Sequence, residues 1–265
     1  MESEMEPLMS KVEILKKALA SGPCFGLNCA IPSPHTVEIL ASSSYDFLVI
    51  DAEHPPTNPA IIHTQLTAMA ASPSATLIKL PSLDPTFIRQ CLDLGAEGLL
   101  APDINTADDA RHFVSSTRYP PHGTRGIASA VRVTGYTRNK HYVKTADQRL
   151  CRGVLIESKS GLDHLDEISA VDGIDIVMFG PTDLAAQLGQ VGEPKAPQVV
   201  VAIEDGIKRV REAGRVTGIV SSEADIEYYA ALGVTMFIVS SDVTLFVQAT
   251  DGLVDRLLKK YRFSA

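Results

Sequence analysis

At six places in the chain, ionisable or hydrogen-bonding side chains follow directly on a short apolar run. Asp51, Glu53 and His54 come after Phe47–Ile50, and Lys79 sits alone among Leu77, Ile78 and Leu80. Asp103 and Asn105 end the next run, and Glu157 the one after it. A Gly180-Pro181-Thr182-Asp183 turn and a Ser240-Ser241-Asp242 end complete the set. Carboxylates gathered at one place repel one another unless protons or a cation neutralise them, and a divalent ion is the simplest neutraliser. Oxygen-only ligands favour Mg2+, Mn2+ or a similar hard ion over zinc. Two carboxylates leave coordination positions open, as a Lewis-acid site requires. His54, three residues after Asp51, has the place of an oriented base. Lys79 has little room to snorkel from inside a strand. An aspartate after a strand is more often a helix cap or turn residue, which suits Asp103 and Asp242. Glu157 has no such capping role. The other histidines fall on helices or loops and are expected at the surface.

These side chains share one mouth only if the runs carrying them are parallel strands of one barrel. Eight runs qualify: Cys24–Ala30, Phe47–Glu53, Ala75–Pro81, Gly98–Ile104, Gly153–Ser158, Ile174–Gly180, Arg215–Ser221 and Met236–Asp242. Helical patterns separate them at Ser33–Ser42, Asp84–Leu94, Ala107–Thr117, Ser160–Val171, Ala196–Ala213 and Glu223–Leu232. Ser33-Pro34 and Asp84-Pro85 are helix starts with a capping residue and proline at the first helical position. Runs such as Phe47-Leu48-Val49-Ile50 are continuously apolar, the mark of strands covered on both faces. The expected fold is therefore α/β, a (β/α)8 TIM barrel, whose usual size is about 250 residues. A single domain over 1–265 is expected, with 1–10 as a flexible lead and Lys11–Ser21 as a helix beneath the barrel. Residues 119–149 form a long, basic connection, a length usually tied to function or an interface. No GxGxxG or GxxxxGK[ST] opens a helix, which disfavours dinucleotide and nucleotide binding.

The formal net charge of −8 argues against nucleic-acid or anionic-membrane partners, which need a basic excess. The acidic start, Met1–Pro7, lacks the layout of a signal peptide, and no run has the length of a membrane span. Cys24, Cys29, Cys91 and Cys151 have neither disulfide-framework density nor CxxC spacing. Reduced, buried thiols in a cytoplasmic protein are the expectation.

The stretches FLVIDAEH (47–54), SLDPTFIRQCLDLGAEGLLAPDINTADDAR (82–111), STRYPPHGTRG (116–126), VLIES (154–158), FGPTDLAAQLG (179–189) and SSD (240–242) resemble a known family. It comprises the metal-dependent pyruvate aldolases that include 4-hydroxy-2-oxoheptanedioate and 2-dehydro-3-deoxyglucarate aldolases, with macrophomate synthase a more distant relation. The resemblance implies Glu157 and Asp183 as ligands of one divalent metal (Mg2+ or Mn2+, with Co2+ an alternative). It implies His54, supported by Asp51, as the proton-transfer residue, and Asp93 as an acidic residue near that histidine across a subunit boundary. The Gly180–Asp183 turn, with Gly180, Pro181 and Thr182 as substrate-binding positions, would offer backbone N–H groups to a substrate carboxylate. Three positions depart from the pattern: Lys79 replaces an arginine, Leu155 a glutamine and Asn28 a tryptophan. Arginine to lysine is not conservative where a planar fork is used. The implied activity is carbon–carbon cleavage of a small 2-oxo acid through a pyruvate-like enolate. Alternatives are 2-oxo-acid decarboxylation, a condensation like that of macrophomate synthase, or a catalytically weak metabolite-binding homologue. Homo-oligomers (hexamers, or trimers of dimers) that exchange the last helix are also implied. Here Val243–Tyr261 carries the apolar Leu245, Phe246, Val254, Leu257 and Leu258.

Overall fold

Eight strands pair in chain order, each parallel to the next, and the last closes on the first. They are β1 (Cys24–Cys29), β2 (Phe47–Asp51), β3 (Ala75–Lys79), β4 (Gly98–Ala101), β5 (Cys151–Ile156), β6 (Ile176–Phe179), β7 (Val216–Val220) and β8 (Met236–Ser241). The computed structural model describes residues 9–262, so most of the expected flexible lead lies outside the described residues. Helices α1 (Lys11–Ser21), α2 (Pro34–Ala41), α3 (Pro59–Ala68), α4 (Pro85–Asp93) and α5 (Ala107–Thr117) cover the first half. The second half carries α6 (Tyr142–Thr145), α7 (Lys159–Asp163), α8 (Leu165–Ser169), α9 (Pro181–Gln187), α10 (Pro197–Glu212), α11 (Ile226–Ala231) and α12 (Asp242–Tyr261). No described helix is long and apolar enough to cross a membrane.

Alternation along the strands divides the apolar residues into two layers. Phe47, Val49, Leu77, Leu155, Met178 and Met236 pack inside the barrel, where α1 closes the bottom with Val12, Leu15 and Leu19. Ile50, Ile78, Val154, Phe179 and Phe237 face the helices. A side chain at Gly26 would stand 2.1 Å from the Phe47 ring, so glycine there lets that phenylalanine fill the lumen. The same alternation decides which polar residues reach the mouth. Asp51 continues the inward row of Phe47 and Val49, Lys79 that of Ala75 and Leu77, and Glu157 that of Cys151 and Leu155.

Several helix ends follow their caps. Ser10 and Glu13 form a reciprocal capping box at α1, and the Asp84 carboxylate accepts the N–H groups of Thr86 and Phe87 at α4. Helix α3 was not foreseen, although Asn58 caps it and Pro59 opens it. The single helix expected over Ser160–Val171 is broken at His164 into α7 and α8. The 119–149 connection is not an open loop. Tyr119, Tyr142 and Ala146 form a small core, and buried Arg125 lies 4.5 Å from the Tyr119 ring centroid. All four cysteines are buried free thiols, Cys24 inside the barrel and Cys29 on the opposite face of β1.

Helix α12 packs differently from the rest. Of its twenty residues only Asp242 is buried, while Leu245, Phe246, Val247, Leu253, Val254 and Leu257 are exposed. Beyond Asp242, none of its residues is buried against its own barrel.

Candidate active site

The mouth opens at the carboxyl ends of the strands, where barrels of this kind carry their chemistry. It forms a cavity of about 1540 Å3 that runs on into the gap between the outer side of β1 and α12. Asn28, Asp51, His54, Lys79, Leu155, Glu157 and the Gly180–Asp183 turn all line it. Asp93 does not. It ends α4, near where β4 begins, and accepts a 2.8 Å hydrogen bond from Arg125.

Asp51 is buried and fully engaged. Its Oδ1 accepts the backbone N–H of Glu53 at 2.9 Å and of His54 at 3.2 Å, and its Oδ2 accepts the Asn28 amide at 3.1 Å. The expected support of His54 by Asp51 therefore acts on the backbone of the turn. The imidazole instead meets Glu53, with Nε2 3.4 Å from Oε2. That same carboxylate pairs with Lys79, whose Nζ also lies 3.9 Å from Glu157 Oε1. Lys79 is the last residue of β3 rather than an interior one. Burial alone would lower its pKa, but the carboxylates of Glu157, Glu53 and Asp51 outweigh it, and the ammonium holds its proton more tightly than a free lysine.

Glu157 shows the opposite balance. Burial pushes its carboxyl up, Lys79 offsets part of the rise, and the charges of Glu53, Asp183 and Asp103 add to it, leaving it at about 7. A buried carboxyl so reluctant to ionise beside a second carboxylate suits a cation ligand. Asp183 stands in the first turn of α9, whose opening residue is Pro181. A third Asp, Glu, His or Cys does not complete a cluster among the described residues, so Glu157 and Asp183 would hold an ion with water or substrate filling the remaining positions. The neighbouring glycine protects this geometry. A Cβ on Gly180 would stand 2.6 Å from Glu157 Oε1. Gly180→Ala is expected to displace the carboxylate and weaken Mg2+ or Mn2+ binding by about 10- to 100-fold in calorimetry; unchanged affinity would show that Glu157 does not need this space.

Other polar ends have structural duties. Asn105 meets the Ser158 hydroxyl, which caps α7 through Gly161 N–H. The exposed Asp103 has a φ of 53° and does not line the mouth. Asp242 clasps the end of β1 to the start of α12, accepting N–H groups from Ala30 (2.8 Å), Ile31 and Val243. Glu53 is the residue whose part was not foreseen. Its spacing of two from Asp51 continues the inward row and was the available signal.

Known proteins resemble this chain over most of its length. A family model described as HpcH/HpaI aldolase/citrate lyase matches residues 25–249. A hydroxypyruvate/pyruvate aldolase of Deinococcus radiodurans is 40% identical, covering 99% of this chain and 95% of its own. A 4-hydroxy-2-oxo-heptane-1,7-dioate aldolase of Shigella sonnei is 39% identical over 91% of this chain and 93% of its own. The crystal structure of a family protein from Burkholderia cenocepacia superposes with a TM-score of 0.89 at 34% identity, over 92% of this chain and 98% of that one. With the barrel, its mouth and these matches in agreement, the chain belongs to the HpcH/HpaI aldolase/citrate lyase family of carbon–carbon lyases.

Proposed function

We propose that this protein is a divalent-metal-dependent aldolase that cleaves or forms a carbon–carbon bond next to a small 2-oxo acid of the pyruvate or hydroxypyruvate type. The observation carrying this reading is the convergence of Lys79, His54, Glu157 and Asp183 on one mouth. An ion held by Glu157 and Asp183 would supply Lewis-acid polarisation of the 2-oxo group. The Lys79 ammonium adds fixed positive charge where the enolate oxygen develops. His54 exchanges the proton at the carbon that gains or loses its bond. The first-turn N–H groups of Thr182 and Asp183 suit the substrate carboxylate, since Pro181 has none to offer. Buried Leu155 and Leu100 form an apolar floor that keeps water from the enolate side. A 4-hydroxy-2-oxo acid should yield pyruvate and an aldehyde with Mg2+ or Mn2+ present, and neither after chelation. Release of pyruvate and carbon dioxide from a 2-oxo acid that carries a carboxyl on C3, without cleavage of the 4-hydroxy-2-oxo acid, would instead indicate a decarboxylase.

The exposed apolar face of α12 supports assembly by exchange of this helix between subunits. Asp93 would then need a neighbouring subunit to stand near a His54. Light scattering at micromolar concentration should give a dimer or larger; a monomer would overturn the assembly.

A further inference from the structure

Glu53 does not line the mouth, yet it touches two side chains that do. We propose that Glu53 is a positioning residue that holds Lys79 and His54 together through one oxygen. This inference rests on the enolate chemistry above, because those two residues are the cation and the proton carrier of that reading. Oε2 of Glu53 meets Lys79 Nζ and stands 3.4 Å from His54 Nε2. It is buried, and both contacts are ion-pair contacts rather than hydrogen bonds of regular geometry. The carboxylate stem is fixed from behind, since the Glu53 N–H donates to Asp51 Oδ1 and Asp51 is held in turn by the Asn28 amide.

Two consequences follow from chemistry alone. A carboxylate accepts hydrogen bonds and cannot donate one, so a ring nitrogen that closes the 3.4 Å gap onto this oxygen must carry the proton. The neutral His54 is thereby the Nε2–H tautomer, with the Nδ1 lone pair left to accept a proton. Lys79, drawn toward Glu53, stays 3.9 Å from Glu157 Oε1 and leaves that oxygen open to a cation. The plainer reading is a structural Lys79–Glu53 ion pair beside a histidine that rotates freely.

Nitrogen-15 labelling of the histidines separates the two readings. Two-bond proton–nitrogen spectra of the Mg2+-loaded protein above the imidazole pKa should show His54 as the Nε2–H tautomer. Glu53→Gln, with Glu53→Ala as a second variant, should give a mixture of tautomers. In pyruvate methyl exchange, kcat should fall about 100-fold while KM stays within about threefold, the pattern of a lost orienting group. Glu53→Asp keeps the charge and should restore kcat to within about tenfold of the parent. An unchanged His54 tautomer in both Gln and Ala variants would overturn the proposal, whatever their activity. Should the parent protein show no metal-dependent exchange, the enolate reading fails separately, and the tautomer comparison still decides the role of Glu53.

Discussion

Glu157→Ala or Asp183→Ala is expected to leave the barrel folded and to reduce metal-dependent exchange of pyruvate methyl protons by about 1000-fold or more. Both residues lie at the mouth, outside the two apolar layers that hold the barrel closed. Elemental analysis and calorimetry should show loss of the bound ion in each variant; full metal stoichiometry in either would refute the ligand assignment. The raised pKa of Glu157, about 7 against 4.5 for the free side chain, adds a pH signature. Between those values the metal-free fold binds more protons than the unfolded chain, so this group lowers stability as pH rises through the window. A cation beside the ionised carboxylate offsets that loss. The rise in Tm on adding Mg2+ should accordingly be larger at pH 8 than at pH 5, and to a lesser degree in Glu157→Gln. Equal shifts at the two pH values in the parent protein would contradict the linkage.

The second large effect is expected at Lys79. A single ammonium, tied to Glu53 on one side, makes fewer directed contacts than the guanidinium fork it replaces in the family pattern. Transition-state stabilisation is expected to be lower by about 1–3 kcal/mol, or about 10- to 200-fold in rate. Lys79→Arg should raise pyruvate proton exchange by up to that factor, because a guanidinium can pair with Glu53 and still donate to the enolate oxygen. Lys79→Met should abolish most of the exchange and leave a buried Glu53 carboxylate without its cation. A fall in activity on Lys79→Arg would mean that the pocket is built around lysine for another acceptor, with Leu155 and Asn28 part of the same adaptation.

The barrel was legible because its signal is repeated. Eight apolar runs of strand length, all but the second followed by a helical pattern, leave few alternatives, and the observed strand ends lie within three residues of those read from the sequence. Elements set by local competition were harder to see. The break at His164 divides a helix that periodicity makes continuous, and α3 carries apolar residues on too many sides to show a clean stripe. Within the site, position after an apolar run was the signal for Asp51, Lys79 and Glu157, and the three line one mouth. That signal could not say which carboxylate the imidazole would meet, since Asp51 and Glu53 follow the same run and the choice depends on the turn after β2. Asp51 is consumed by backbone N–H groups, which leaves Glu53 to reach His54. Nor could periodicity settle whether α12 covers its own barrel. An apolar face reads the same whichever chain it packs against, and in this chain it is exposed.

The most direct test of the account is proton–deuterium exchange at the pyruvate methyl group, followed by NMR in D2O with Mg2+ and again after chelation. Exchange requires a base, a stabilised enolate and a cation at one mouth, and it needs no knowledge of the aldehyde acceptor. Loss of the methyl signal is expected with Mg2+, with suppression by chelator and in Glu157→Ala and Asp183→Ala. An undiminished methyl signal in the Mg2+-loaded parent protein, or exchange indifferent to the metal, would contradict it.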